Sequence, residues 1–399
     1  MRAMFTQMSR VFASLGSSEG AIPASLVRQT ALDGIKGERS ALTREALEEA
    51  FRLADLWLDP ATAIPSTSPS ALAWTRQEWV ERSVPFWIEA VTPIAERMSA
   101  TMTESLGQVG QQAGGELGPI LEQFGAGFGQ LQAIFERLGG AMFAAQLGQA
   151  LARLANEVMT STDIGIATAP AGERVLLPSN VEAWAESIEV ELQQVVLFLA
   201  LRESAAVRLF SDNPWLSGHL LSAIHDFARG ITIDIEALQQ QAERAMEAMQ
   251  GSTDPEAMAE AAHLFELPES REQRAALQRL ETHLALIEGW VDHVATQAAG
   301  ERLPEYGALA EMVRRRRAAG GPAEAIFATL VGLELRPRRL RDAANLWAAL
   351  EHQFGIEGRD EIWRHPESMP THEDLDDPLR YVETVRLLRN IPDDLSSLD

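Results

Sequence analysis

Two glutamates sit where apolar residues belong, and that placement constrains this chain more than any other feature. In Val181–Phe210 the residues Ile188, Leu192, Val195, Leu199, Ala206 and Phe210 advance by threes and fours, the spacing of one helical face. Glu203 falls inside that series. In Leu277–Ala298 the stripe is Leu277, Leu280, Leu284, Val291, Val294 and Ala298, and Glu288 falls inside it. A carboxylate removed from water is costly unless a cation, a metal or several hydrogen bonds compensate it. Two inward glutamates therefore imply a shared internal site. The competing reading puts each at the edge of its stripe, reaching solvent or a capping amide.

The composition narrows the class. The 399 residues suffice for one large or two ordinary domains, and 46% hydrophobic with 23% charged residues is ordinary for a soluble globular chain. A formal charge of −24 opposes binding to phosphate backbones and anionic membranes, so neither nucleic acid nor a membrane is expected as a partner. The chain has no cysteine, which excludes disulfides, thiolate nucleophiles and zinc ribbons, and fits a cytoplasmic protein. The first twenty residues lack an apolar core ahead of a cleavage site and read as a flexible lead, and no run of 18 apolar residues predicts a membrane span. There is no G-x-S-x-G and no P-loop. GAGFG at Gly125–Gly129 has no preceding strand, so it is not a dinucleotide fingerprint.

Along the chain, residues 21–100 read as helical. Thr43 is an N-cap with Glu45 in the first turn, and Trp74, Trp79 and Trp87 are core residues. Residues 60–71 form a proline and serine loop. Eleven glycines between Gly107 and Gly148 predict a tightly packed helical hairpin over 106–159. IGIAT and RVLLP around Ala-Pro-Ala-Gly predict a β-hairpin over 163–181, with Ser179 or Asn180 capping the helix that follows. Asn213-Pro214 starts a further helix that ends at Gly230. Residues 239–270 read as a surface helical pair.

The histidines do not converge on paper. His219 and His225 lie on different sides of one helix, His293 points away from Glu288, and His283 reads as a hydrogen-bonded core residue. Asp292 shares the face of Glu288 and is a candidate supporting carboxylate. Arg314–Arg317 and RPRRLR at 336–341 are expected to pair with acidic groups, His365 and His372 to lie in an exposed loop, and PDDLSSLD to form an acidic tail.

Several stretches together carry a family likeness. They are RESAAVRLFSDNPWLSGHLLSAIHDFARGI (Arg202–Ile231), LALIEGWVDHV (Leu284–Val294), RRRRAAGGPAEAIFATLVGLELRPRRLRDAANLWAAL (Arg314–Leu350) and DLDDPLRYV (Asp374–Val382). LADLWLD (Leu53–Asp59) and AWTRQEWVE (Ala73–Glu81) belong with them. The chain resembles a bacterial zincin-like family of hydrolases, whose members are described as zinc-dependent metalloproteases or linked to deazaflavin coenzyme biosynthesis. Such families carry HExxH, two histidines that hold zinc and a glutamate that activates its water. The five matching residues here are Arg202, Glu203, Ser204, Ala205 and Ala206. The resemblance thus implies Glu203 at a vestigial general-base position and Glu288 at a vestigial third-ligand position. Arg202 and Ala206 stand where the zinc histidines would be. An inward Arg202 would replace the metal with a guanidinium; one leaning to the helix flank would reach water.

The expected fold is mainly α. It is a zincin-like multi-helix domain over 21–385, with a small β-hairpin or sheet before the central motif helix, the motif helices over 182–300 and a tail over 386–399. The expected role is a catalytically inactive metallopeptidase homologue that needs no cofactor and binds an unknown protein or peptide. One alternative is an active hydrolase with a non-standard zinc site, in which His219, His225 or His283 joins Glu203 and Glu288. The other is a helical interaction scaffold with an exposed apolar patch on the glycine-rich hairpin.

Overall fold

The computed structural model describes residues 21–66, 71–112, 125–230, 270–318 and 339–390. The expectations for the N-terminal lead, the 239–270 surface pair up to residue 269, FATLVGLEL and the tail beyond 390 lie outside these residues. The described helices are α1 (Ala24–Asp33), α2 (Arg44–Leu58), α3 (Arg76–Gln112), α4 (Gly125–Ala155), α5 (Pro178–Ile188), α6 (Leu192–Asp212), α7 (Trp215–Arg229), α8 (Arg271–Ala299), α9 (Tyr306–Ala318), α10 (Leu340–Asp360), α11 (His372–Asp376) and α12 (Pro378–Arg389). Two short strands, β1 (Ala71–Ala73) and β2 (Arg174–Leu176), and three 3-10 turns at Gly300–Arg302, Glu361–Arg364 and Pro366–Ser368 complete the described elements.

The chain forms two compact units. One comprises residues 1–23, 88–144 and 224–276; the other comprises 24–87, 145–223 and 277–399 and contains both glutamates. Within the larger unit α6 is the central element, with α2, α5, α9 and β2 packed against it. Every residue from Phe198 to Phe210 is buried, so the stripe read from the sequence is only one side of a helix enclosed all round. On α2 the residues Leu47, Phe51, Ala54 and Leu58, spaced by fours and threes, form the buried face. Each large apolar side chain of this kind contributes about 1.5–3 kcal/mol on burial.

The sequence places several features correctly. Thr43 caps α2 by accepting from the Ala46 amide at 3.2 Å. Trp74, Trp79 and Trp87 are core residues. Helix α8 spans the whole of the second stripe. Of the described side chains of 137–151, Ala141, Phe143, Ala144, Leu147 and Leu151 are buried and Met142 is exposed, with Gly148 against Val27 and Thr30 of α1. The turn of the expected helical hairpin, residues 113–124, lies outside the described residues.

Three expectations need correction. The helix expected over 181–210 is broken: Glu189 adopts φ 57°, the left-handed conformation that ends α5, and the Val190 amide closes back on the Ala185 carbonyl at 3.3 Å. Asn180 caps nothing. It is buried, accepting from Arg76 Nε at 2.8 Å and donating to the Ala155 carbonyl at 2.9 Å, while Leu177 holds the N-cap position without a side-chain bond. The β-hairpin does not form either. Only Arg174–Leu176 is a strand, and it pairs in parallel with Ala71–Ala73. The IGIAT segment turns instead, with the Gly165 amide on the Thr162 carbonyl and the Thr168 amide on the Ser161 carbonyl, so its backbone groups are used locally.

Candidate functional site

Helix α6 presents Arg202 and Glu203 on adjacent positions, about 100° apart around the axis, so the two side chains leave the helix in different directions. Each meets a different surrounding.

Glu203 is fully buried. One carboxylate oxygen accepts from the Ser161 hydroxyl, from the Ser161 amide at 3.3 Å and from the Val175 amide of β2 at 3.0 Å. The other accepts from the Thr162 hydroxyl at 2.6 Å and the Thr162 amide at 3.2 Å. Five donors saturate the acceptor capacity of a carboxylate, which is about four lone-pair sites. Burial pushes Glu203 above the usual carboxylate range, and the bonds from Ser161, Thr162 and Val175 pull it back in part. Ser161 and Thr162 can reach it because β2 and the bridge from Thr160 to Leu176 lay the 160–162 backbone beside α6.

Arg202 turns inward to α8. Its guanidinium donates to Glu288 at 2.7 Å and to Asp292 at 3.0 Å. The two carboxylates, four residues apart, share one face of α8 as their spacing requires. Asp292 also accepts from Arg314 of α9 at 2.9 Å, so two cations face two anions in a buried cluster. The ring of Phe198, one turn back on α6, lies 5.8 Å from the guanidinium carbon and is itself packed edge-on by Tyr306 at 5.1 Å. Burial alone would favour a neutral Arg202; the carboxylate charges of Glu288 and Asp292, with the Tyr306 hydroxyl beside it, outweigh it and hold the guanidinium protonated beyond its ordinary value. Burial pushes the Tyr306 phenol up to about 12, so it is neutral at physiological pH.

Two glycines shape the pocket around Glu288. Gly165, at φ +78°, passes so close that a methyl group added there would stand 3.6 Å from the Glu288 carboxylate. Gly289 lets α10 press on α8: a Cβ at that position would lie 2.7 Å from the Cβ of Ala343. Trp347 then donates to the Leu286 carbonyl and Trp290 to Asp360, both at 2.9 Å, fixing the register of α8 against α10.

The remaining predicted residues are placed as follows. His293 pairs with Glu351 at 2.6 Å, in a network with Arg359 and Asp360. His283 is a hydrogen-bonded core residue, its Nδ1 on the Arg279 carbonyl at 2.7 Å. His225 lies 3.2 Å from the Glu89 carbonyl. His219 lies against His283 rather than near Glu203 or Glu288. His365 is exposed, whereas His372 opens α11 half-buried. Arg314, Arg315, Arg316, Arg339 and Arg341 all pair with Asp or Glu, as the charge pattern predicts.

The side chains that compensate Glu203, and the ion network of Asp55, Asp59, Arg174 and Arg208 beside it, have no signal in the sequence. Ser161 and Thr162 look like ordinary loop residues, and their bonding depends on a backbone path that no local pattern encodes.

Zinc does not fit this donor set. Catalytic zinc needs three protein ligands and an open position, yet the Glu288 carboxylate is engaged by a guanidinium and Glu203 by five donors. Among the described residues no group of three or more His, Cys, Asp or Glu could hold a metal ion. No helix among them is long and apolar enough to cross a membrane.

Comparison with known proteins gives two findings. Residues 21–382 match the sequence profile of a family described as "Zincin-like metallopeptidase". The fold is similar to the crystal structure of a "putative hydrolase with a novel fold" from Chloroflexus aurantiacus, with a TM-score of 0.60 and 17% identity, covering 92% of this chain and 99% of that one. No functionally curated protein matches the chain.

Proposed function

We propose, from the premise that this chain belongs to the zincin-like metallopeptidase family, that it is a catalytically silent member whose former cleft serves as an internal scaffold. In this reading Arg202 and Ala206 replace the zinc histidines, and the Arg202 guanidinium takes over the charge role of the metal. Glu203 holds the general-base position and Glu288 the third-ligand position, both without catalytic duty. The supporting observation is the contact of Arg202 with Glu288 at 2.7 Å. A planar monovalent cation with fixed donors satisfies a carboxylate as a dication would, but it activates no water.

Glu203 supports the same reading. A general base must reach a substrate or water proton, and this carboxylate is fully buried with its oxygens committed to Ser161, Thr162 and Val175. What remains useful is a rigid α-helical body of strongly acidic charge, suited to a protein or peptide partner rather than to nucleic acid. A cytoplasmic location fits the absence of cysteine.

The test is metal content combined with mutation. Full-length protein purified without chelator or polyhistidine tag is analysed for zinc, with Glu288→Ala and Glu203→Gln in parallel, and all three are assayed for hydrolysis of peptide and ester substrates. The expected result is no Glu288-dependent zinc and no Glu203-dependent hydrolysis. Stoichiometric zinc lost on Glu288→Ala overturns the reading in favour of an active hydrolase.

A further inference from the structure

We propose that His219 and His283 form a two-imidazole site for a divalent transition-metal cation of zinc, nickel or copper type, distinct from the Arg202 and Glu288 cluster. The two residues stand on α7 and α8 within the larger unit, with ring centroids 4.5 Å apart and planes inclined at 52°. Two imidazoles sharing one tetrahedral metal, with bonds of about 2.0–2.1 Å, have centroids about 5 Å apart. The observed 4.5 Å separation is close to that value, and ligation requires side-chain rotation that turns both Nε2 atoms to one point.

The surroundings are set for that role. The His283 Nδ1 contacts the Arg279 carbonyl at 2.7 Å. A carbonyl oxygen only accepts, so Nδ1 carries the proton and Nε2 keeps its lone pair. Metal-bound histidines are oriented in this same way by a backbone carbonyl or carboxylate on the opposite nitrogen. His219 is braced by Trp215, whose ring meets it edge-on at 5.7 Å and whose Nε1 is anchored on the Trp363 carbonyl at 3.0 Å. His219 is half-buried and gives a cation access, while His283 lies deeper.

Burial lowers the proton affinity of both rings, which favours the neutral, ligating form at neutral pH. The nearby Arg279 charge lowers both further and also opposes a dication, so affinity is modest and water completes the coordination. Imidazole donors select zinc, nickel and copper over magnesium and calcium. Nothing in this argument depends on the state of the Glu203 and Glu288 positions.

The experiment titrates tag-free full-length protein with ZnCl2, NiCl2 or CuCl2 alone, followed by calorimetry, and compares His219→Gln, His283→Gln and His225→Gln. The expected result is one saturable site, weakened on the order of tenfold or more by either of the first two substitutions and unchanged by His225→Gln. Far-UV circular dichroism checks folding; His219 is half-buried, so H219Q decides the question even if H283Q does not fold. No saturable binding, or equal affinity in H219Q and the parent, overturns the proposal and identifies the pair as packing alone.

Discussion

Glu203 and Glu288 are buried to similar depth on neighbouring helices of one unit, and the chain compensates them by opposite means. Around Glu203 every partner named is a neutral donor, two hydroxyls and three backbone amides. Around Glu288 the partner is a full cation that also spans Asp292. Dipoles fixed by a backbone meet the desolvation cost of a carboxylate without any second charge. A guanidinium meets it through the charge of one side chain. The first arrangement is spread over three residues; the second concentrates the charge facing both carboxylates in Arg202, with Arg314 on Asp292 alone.

The sharpest break is therefore expected at Arg202. Arg202→Met leaves Glu288 and Asp292 buried without their shared cation and is expected to cost about 3–5 kcal/mol, measured by urea unfolding. Adding Glu288→Gln should restore part of that loss, because it removes one of the stranded charges. A cost below about 1 kcal/mol for Arg202→Met would show that the pair is solvated and would erase the contrast.

Glu203→Gln comes next. Its amide nitrogen faces donors, so at least one hydrogen bond to the charged group is lost, worth about 1.5–3 kcal/mol. The pH dependence has a definite sign. Burial raises the folded pKa of Glu203, so between the unfolded value of about 4.3 and the raised folded value the native chain holds a proton that the unfolded chain has released. Stability from this group is full below that window and declines as pH rises through it. Parallel unfolding curves should show the advantage of the parent over Glu203→Gln shrinking as pH rises; an advantage that grows with pH contradicts the assignment.

Thr162→Val removes one hydroxyl of the five donors and leaves the amide. The expected loss is about 1–2 kcal/mol, smaller than either glutamate-centred change because the remaining donors still solvate the carboxylate. A loss as large as that of Arg202→Met would mean the cage around Glu203 is as concentrated as the ion cluster. The floor is set by Glu48→Gln, which removes the exposed i,i+4 partner of Arg44. No measurable change in melting temperature is expected there.

The sequence discloses which side chains are costly but not what relieves the cost. The three- and four-residue spacing shows that Glu203 and Glu288 point inward, and the same helical arithmetic puts Asp292 with Glu288 and His293 elsewhere. Those are properties of one helix at a time. The relief of Glu203 comes from Ser161 and Thr162, 42 and 41 residues upstream, and from Val175, through backbone amides and through hydroxyls of a kind found in any loop, so no local pattern marks it. For Arg202 the sequence allows an inward or a snorkelling placement, and the structure has the inward one, where two carboxylates of α8 and the Phe198 ring meet the guanidinium. The helix break at Glu189 has no sequence signal because a non-glycine residue takes the left-handed conformation. The expected hairpin failed because two apolar pentads around a Pro-Ala-Gly turn say nothing about the strand at Ala71–Ala73 that one of them joins instead. The meeting of His219 with His283 depends on how two separate helices pack, and neither helix encodes that alone.

The central claim, that a guanidinium stands in for a metal at Glu288, is tested most directly by anomalous diffraction at the zinc edge on crystals grown with excess zinc. The account predicts continuous density for the Arg202 side chain reaching Glu288 and Asp292, with no anomalous peak among them. A peak within about 2.0–2.2 Å of the Glu288 carboxylate, with Arg202 displaced, would contradict it.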